Sequence, residues 1–464
     1  MLRPRRWLVF FPAALNWALF LPPAFSQKSA SDAFLVQPYI QLGNRPALLD
    51  PEELTVVWHT ADTDHHWQLE VKNGKGWRAM AAPQFDRIRI RTLLPFRIYT
   101  AELTGLAPGQ RFPYRVLRDG AKVFEAEAIA RKSARQPFRV AVFGDCGADT
   151  PAQRAVAFEV YQARPDLVVH PGDIVYSRGR ITEYRTKYFP IYNADRPSPD
   201  TGAPLLRSVL FMATPGNHDT ATSDLDRYPD AQAYFFFWRQ PLQGPHWPDL
   251  ARLAPPLMGS PEDVQNVRQA AGVRLPRMAN FSFEYGSAHW TMIDSNRYVD
   301  WTHPELRAWL ERDLAAARKI PWRFVVFHHP GFNSSKAHFN DQWMRELDEI
   351  FRKHKVQIVF AGHVHNYQRS FPLRYKQGSW EVEKSWDGTG AANPPGVIYI
   401  VTGAGGANLY NPEQQGDPAS WQSFTRKFIS QVHSFSLLEI DGPSLVFRQI
   451  SKTGDELDRF TLRQ

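Results

Sequence analysis

From residue 138 onward the chain alternates short apolar runs with stretches of helical periodicity, and five of those runs stop abruptly in polar motifs flanked by Gly or Pro. The motifs are "GDCG" (144–147), "GDIVY" (172–176), "GNHD" (216–219), "HHP" (328–330) and "GHVH" (362–365). Strands alternating with helices are the signature of an α/β layer fold. In such a sheet, side chains that do chemistry gather just past the carboxyl ends of strands. A sharp exit from a strand also calls for Gly or Pro. Singly, each motif has a plain reading. Asp145 suits a turn or an N-cap, "GDIVY" an ordinary loop, and His328–His329 a buried, hydrogen-bonded pair. "GNHD" says more, because three polar groups follow a Thr-Pro-Gly break with no helix to cap nearby. "GHVH" says more still, since imidazoles at i and i+2 past a buried strand project to one side. Five such motifs at five strand ends predict one shared site.

The five strands are read in "FRVAVFGD", "DLVVHPGD", "VLFMATPGNHD", "WRFVVFHHP" and "VQIVFAGHVH". "GVIYIVTGAGG" supplies another, and the tail "FSLLEIDGPSLVFRQIS" reads as a hairpin. Between them, Thr150 and Gln153 form a capping box that opens the helix "PAQRAVAFEVYQA". Thr302 and Glu305 are expected to cap a second helix, with Leu306, Trp309, Leu310 and Leu314 on one face. A third, "DQWMRELDEIFRKH", is expected to bury Trp343, Leu347, Ile350 and Phe351. The Pro- and aromatic-rich insertion between Thr220 and Asn280 reads as a packed cap, part of which walls a cleft.

The donor set drawn from the five motifs is two aspartates, one tyrosine, one asparagine and three histidines, with no thiolate. Imidazole and carboxylate suit iron, zinc or manganese. Seven such groups are too many for one ion with an open position and fit two ions sharing a carboxylate.

Residues 32–130 read differently. "ELTVVWHT", "WQLEV" and "RIYTAELTGL" are short strands parted by turn residues, an all-β pattern. "YTAELTGLAPGQRFPYRVLRDG" resembles a fibronectin type III module, in which Trp58 would be the core tryptophan. "ARKSARQ" (130–136) is expected to be a basic linker marking the boundary. At the start, Arg3, Arg5 and Arg6 precede an apolar run broken by prolines and ending Ala24-Phe25-Ser26, the pattern of a cleavable export signal over residues 1–26. An uncleaved anchor is the alternative. No other stretch is long and apolar enough to span a bilayer. The net charge is +8, and removing the three arginines leaves +5, too mild for a nucleic-acid stripe but suited to attracting anions. One cysteine, Cys146, excludes an intramolecular disulfide. Asn280 and Asn333 stand in glycosylation sequons.

The five motifs, in this order, resemble those of the calcineurin-like metallophosphoesterases, and within them the purple acid phosphatases, in which a fibronectin-like module also precedes the catalytic domain. The resemblance implies a four-layer α/β/β/α catalytic sandwich over residues 138–464. Position by position, it implies that Asp145, Tyr176 and His365 bind one metal, that Asn217, His328 and His363 bind a second, and that Asp173 bridges them. Most metallophosphoesterases begin Asp-x-His. Here Gly147 stands third, and Tyr176 supplies a phenolate, which favours Fe(III) at the first position beside a divalent Zn, Fe or Mn. His218 matches a substrate-contacting histidine, and His338, in "SSKAHF", a looser one. His329 is expected to pack behind the ligands. Asp219 replaces the family's more common Glu and is expected to influence how His218 is oriented.

The implied activity is hydrolysis of small phosphate monoesters as an acid phosphatase. A metal-activated hydroxide, available at acidic pH, would attack phosphorus in line, with no covalent nucleophile. A divalent-metal phosphodiesterase of the same superfamily is the nearest alternative. A non-catalytic phosphate- or surface-binding exported protein is the alternative of another class. No nucleic-acid partner is expected.

Overall fold

A computed structural model describes residues 33–74, 76–220, 224–245, 253–389 and 394–464. The export segment read at 1–26 lies outside them. Among the described residues no helix is long and apolar enough to cross a membrane.

The apolar runs form strands buried on both faces, as a sheet covered on both sides requires. Phe138–Val142, Leu167–His170 and Leu210–Ala213 are parallel neighbours. Ser434–Asp441 pairs antiparallel with the first of them and leads through Ser444–Ser451 to Glu456–Arg463, completing six strands. The stretch read as a hairpin pairs as one, and the third strand follows it. A second sheet of seven strands is built around four parallel ones, Ala288–Met292, Trp322–Val326, Ile358–Ala361 and Ile398–Thr402.

Alternate faces of these strands sort into three cores, which define the four layers. Val140, Val142, Val169 and Met212 of the first sheet meet Trp290, Phe324, Val326 and Phe360 of the second in one contiguous cluster between the sheets. Ala141, Phe143 and Val168 turn the other way, onto Val156, Ala157 and Val160 of the helix Pro151–Gln162. Val325, Phe327 and Val359 turn onto Leu306, Leu310 and Leu314 of the helix Pro304–Ala316 and onto Ile350 and Phe351 of Asp348–Lys353.

Capping follows the sequence in one case and departs from it in another. Thr150 Oγ1 accepts from the Gln153 amide at 3.0 Å, while the Gln153 side chain reaches back to the Asp149 amide at 2.8 Å, one residue beyond a strict box. Thr302 does not cap. Its hydroxyl donates to Asp300, His303 is the N-cap, and Pro304 takes the first helical turn, where its missing N–H costs nothing. The helix read over "DQWMRELDEIFRKH" is split into a 3₁₀ segment Trp343–Leu347 and the α-helix Asp348–Lys353. Leu347, Ile350 and Phe351 are buried as expected, and Trp343 only partly.

Residues 36–129 form two four-stranded sheets, the all-β arrangement expected. Trp58 is fully buried, stacked on Tyr99 with centroids 5.4 Å apart. Within the basic stretch 130–136 Ala134 and Arg135 are exposed, whereas Arg131 is not. Arg131 is fully buried, paired with Glu52 at 2.8 Å, and donates to the carbonyls of Ala47 (2.8 Å) and Glu284 (3.2 Å). It joins the β part to the edge of the second sheet. The run Tyr234–Trp238 of the insertion packs into the core on the helix side of the first sheet. Asn280 and Asn333 are both buried with hydrogen-bonded side chains, so neither sequon is available in the folded chain.

Candidate metal centre

The five motifs converge. Asp145, Asp173 and His363 each take left-handed backbone, φ 56°, 49° and 68°, immediately after a glycine at the turn out of a strand. Non-glycine residues pay for this conformation, on the order of 1 kcal/mol or more each, and it concentrates at functional sites. Two glycines let the loops interlock. A Cβ on Gly216 would stand 2.2 Å from Asp173 Oδ1, and one on Gly172 2.7 Å from both the Gly216 amide and His328 Nδ1.

Side chains from all five loops then meet. Tyr176 Oη lies 3.2 Å from Asp145 Oδ1 and 3.0 Å from His365 Nε2. Asn217 Oδ1 lies 3.0 Å from both His328 Nε2 and His363 Nδ1. Asp173 reaches both groups. Its Oδ2 is 3.3 Å from His328 Nε2, and one atom each from Asp145, Asp173 and His365 falls within 4.8 Å, as it does for Asp173, His328 and His363. Pro171 O holds His328 Nδ1 at 2.9 Å and Asn408 O holds His365 Nδ1 at 2.7 Å, so both rings turn Nε2 inward.

Burial would raise the Asp173 carboxyl, but His328, His218 and His363 pull it far below the usual carboxylate range. Burial opposes charge on His328, yet Asp173 and Asp145 raise it to about 9. Burial and the charges of His328 and His338 lower His363 to about 3. Tyr176 is driven well up by burial and by Asp145 and Asp173, so its phenolate needs a cation beside it. The donor set of seven N and O atoms around two acidic foci fits hard or borderline cations. Cys146 takes no part: it is buried, its thiol raised by burial, with Sγ 3.7 Å from Ile174 O.

His218 and His338 stand at the rim, with about a third of each side chain exposed. His218 Nδ1 is 2.9 Å from Ser177 O, and its Nε2 is 3.9 Å from Asp173 Oδ2. His329 lies behind the donors, Nδ1 2.9 Å from Ser295 Oγ, its ring 4.4 Å from that of His363. Asp219 acts on the backbone. Asn217–Thr220 is itself one helical turn, and the Asp219 carboxylate faces backbone amides, not His218.

Three features were missed in the sequence. Asp341 Oδ2 lies 3.1 Å from His338 Nδ1 and 3.3 Å from His363 Nε2. Tyr410 stacks on His365 at 4.1 Å with planes 10° apart. Ser295 Oγ accepts from the amides of His328 and His329. Only Asp341 carried a usable signal, an acid three residues after His338.

The calcineurin-like phosphoesterase family matches residues 138–367. "Purple acid phosphatase 23" of Arabidopsis thaliana is 26% identical over 337 residues, covering 67% of this chain and 62% of that protein. "Probable inactive purple acid phosphatase 27" of the same plant is 26% identical over 415 residues, covering 79% and 58%. The chain therefore spans about three-fifths of the length of these relatives. The purple acid phosphatase PPD1 from yellow lupin seeds superposes with a TM-score of 0.66 at 20% identity, over 92% of this chain and 74% of that one, which bears on the fold. Fold and site thus define a calcineurin-like phosphoesterase domain. Within that class the chain is similar in sequence to purple acid phosphatases.

Proposed function

We propose that this chain is a metal-dependent phosphoesterase that hydrolyses small phosphate monoesters at a two-cation centre. The observation that carries the reading is the sharing of Asp173 by two three-residue donor groups. Asp145, Tyr176 and His365 would hold one ion, Asn217, His328 and His363 the other, and Asp173 both. The phenol of Tyr176 in place of an imidazole favours Fe(III) beside a divalent Zn, Fe or Mn. When bound, such a pair of cations neutralises phosphoryl oxygens and activates water.

The chain's own groups do the rest. His218 donates from Nδ1 to Ser177 O, which leaves Nε2 facing the centre, where a second proton would let it hydrogen-bond a phosphoryl oxygen or protonate the leaving alkoxide. General acids of this kind contribute ~10²–10⁴-fold. His338, anchored through Nδ1, presents Nε2 in the same way. A monoester is favoured because both rim histidines can serve its second and third free oxygens. Residues 32–130 are read as a fibronectin type III-like domain, 138–464 as the catalytic domain and 1–26 as an export signal, giving an exported protein.

The test is hydrolysis of p-nitrophenyl phosphate against its bis-ester, with elemental analysis of the same sample. Two metals per chain and preference for the monoester support the reading. Preference for the diester moves it to the phosphodiesterases. Two metals with neither ester cleaved, in wild type and His218→Ala alike, would make the chain a binding protein.

A further inference from the structure

We propose that Asp341 is a positioning residue whose single carboxylate sets the tautomer and orientation of both His363 and His338, joining the second-cation site to the substrate rim. The inference rests on the two-cation reading above.

The geometry is specific. His363 Nδ1 lies 3.0 Å from Asn217 Oδ1, on the side shared with His328 and Asp173. A neutral imidazole carries one N–H. For Nδ1 to offer its lone pair beside Asn217, the proton must sit on Nε2, and the acceptor that Nε2 meets is Asp341 Oδ2 at 3.3 Å. The same oxygen lies 3.1 Å from His338 Nδ1. That places the N–H of His338 on Nδ1 and leaves Nε2 free for a ligand. The two rings lie with centroids 4.0 Å apart and planes tilted by 50°.

Asp341 is itself fixed. Its Oδ1 accepts from Arg297 Nη2 at 3.0 Å, and that guanidinium lies 4.1 Å over the Trp343 ring. Trp343 Nε1 in turn donates to Ser295 O at 3.1 Å. A carboxylate held this way keeps a metal-ligating imidazole in one orientation and raises its basicity, and losing such a partner typically costs about 10–100-fold in metal affinity or activity.

The experiment compares wild type with Asp341→Asn, Asp341→Ala and Asp341→Glu. Three readouts are needed: zinc affinity of the metal-free proteins by competition with a chromophoric chelator, urea unfolding of the metal-free proteins, and kcat and KM on p-nitrophenyl phosphate. We expect Asp341→Asn and Asp341→Ala to weaken the weaker of two zinc-binding steps about tenfold or more. The tighter step and metal-free stability should be unchanged, kcat should fall at saturating metal, and Asp341→Glu should recover part of the lost affinity. Wild-type zinc affinity in both steps together with wild-type kcat in Asp341→Ala overturns the inference. So does equal weakening of both steps with a matching loss of metal-free stability, which marks a merely structural residue. If wild type takes up fewer than two ions, the two-cation reading fails on its own, whatever the variants do, and the inference falls with it.

Discussion

The carboxylate of Asp219 accepts the backbone amide of Ile174, with Oδ1 at 3.1 Å and Oδ2 at 3.2 Å. Oδ2 also accepts the Gly216 amide at 2.8 Å. The loop carrying Asn217 and His218 is thereby bolted to the loop carrying Asp173 and Tyr176. Asp219→Ala takes this acceptor from three buried amides, those of Ile174, Val175 and Gly216, and a buried donor left unsatisfied costs about 1–3 kcal/mol. We expect the metal-free protein to lose roughly 3 kcal/mol of unfolding free energy, read by urea denaturation. An unchanged midpoint would show that the loops hold together without this carboxylate.

Arg131 and Glu52 are both fully excluded from water and make a bidentate pair, 2.8 and 3.1 Å. Breaking a buried pair from one side strands a charge and costs about 3–5 kcal/mol. Arg131→Ala should fall in that range. Because Arg131 also donates to Ala47 O and Glu284 O, the β part should then melt at lower urea than the catalytic part. The check is tryptophan fluorescence against far-UV dichroism in one titration. Coincident curves at the wild-type midpoint would remove Arg131 as the link.

What the sequence made legible was whatever is written locally. The five strand-end motifs keep their donors within a few residues of a Gly or Pro, and the pattern of buried strands names the layers. Interactions closed through space were not legible. Asp341 is 22 residues from His363, and Tyr410 is far along the chain from the His365 ring it covers. In one dimension they look like a turn acid and a loop aromatic. The pairing of Arg131 was not legible because its partner Glu52 lies 79 residues earlier. Thr302 was misread because its hydroxyl had a nearer acceptor, Asp300, than the helix amides.

Asp173 is the one carboxylate common to both donor groups. Asp173→Ala should therefore lose both ions and all measurable turnover, with metal content by elemental analysis as the direct readout. Retention of one full equivalent would place Asp173 in a single site and end its bridging role.

Tyr176 Oη is 3.2 Å from Asp145 and 3.0 Å from His365. Tyr176→Phe keeps the ring against His218 and removes only the oxygen. The iron-loaded wild type should show a visible charge-transfer band that the variant lacks. A band that survives would remove the phenolate–iron assignment and leave the phosphoesterase reading standing.

His170 ends the strand Leu167–His170 and is fully buried, with Nδ1 donating to Phe143 O at 2.7 Å. Burial lowers it to about 4 from the model-peptide 6.5. Above 6.5 the ring is neutral in folded and unfolded chains alike and pH has no effect through it. As the pH falls below that value, the unfolded chain takes up a proton that the folded chain refuses, so stability declines until His170 itself protonates near 4. At about 1.4 kcal/mol per unit, the loss approaches about 3 kcal/mol over that window. His170→Asn keeps a donor where Nδ1 stood and cannot titrate. Urea unfolding in a chelator, from pH 7 to pH 4, should show a shallower decline for the variant than for wild type, and parallel profiles would assign the acid sensitivity to other groups.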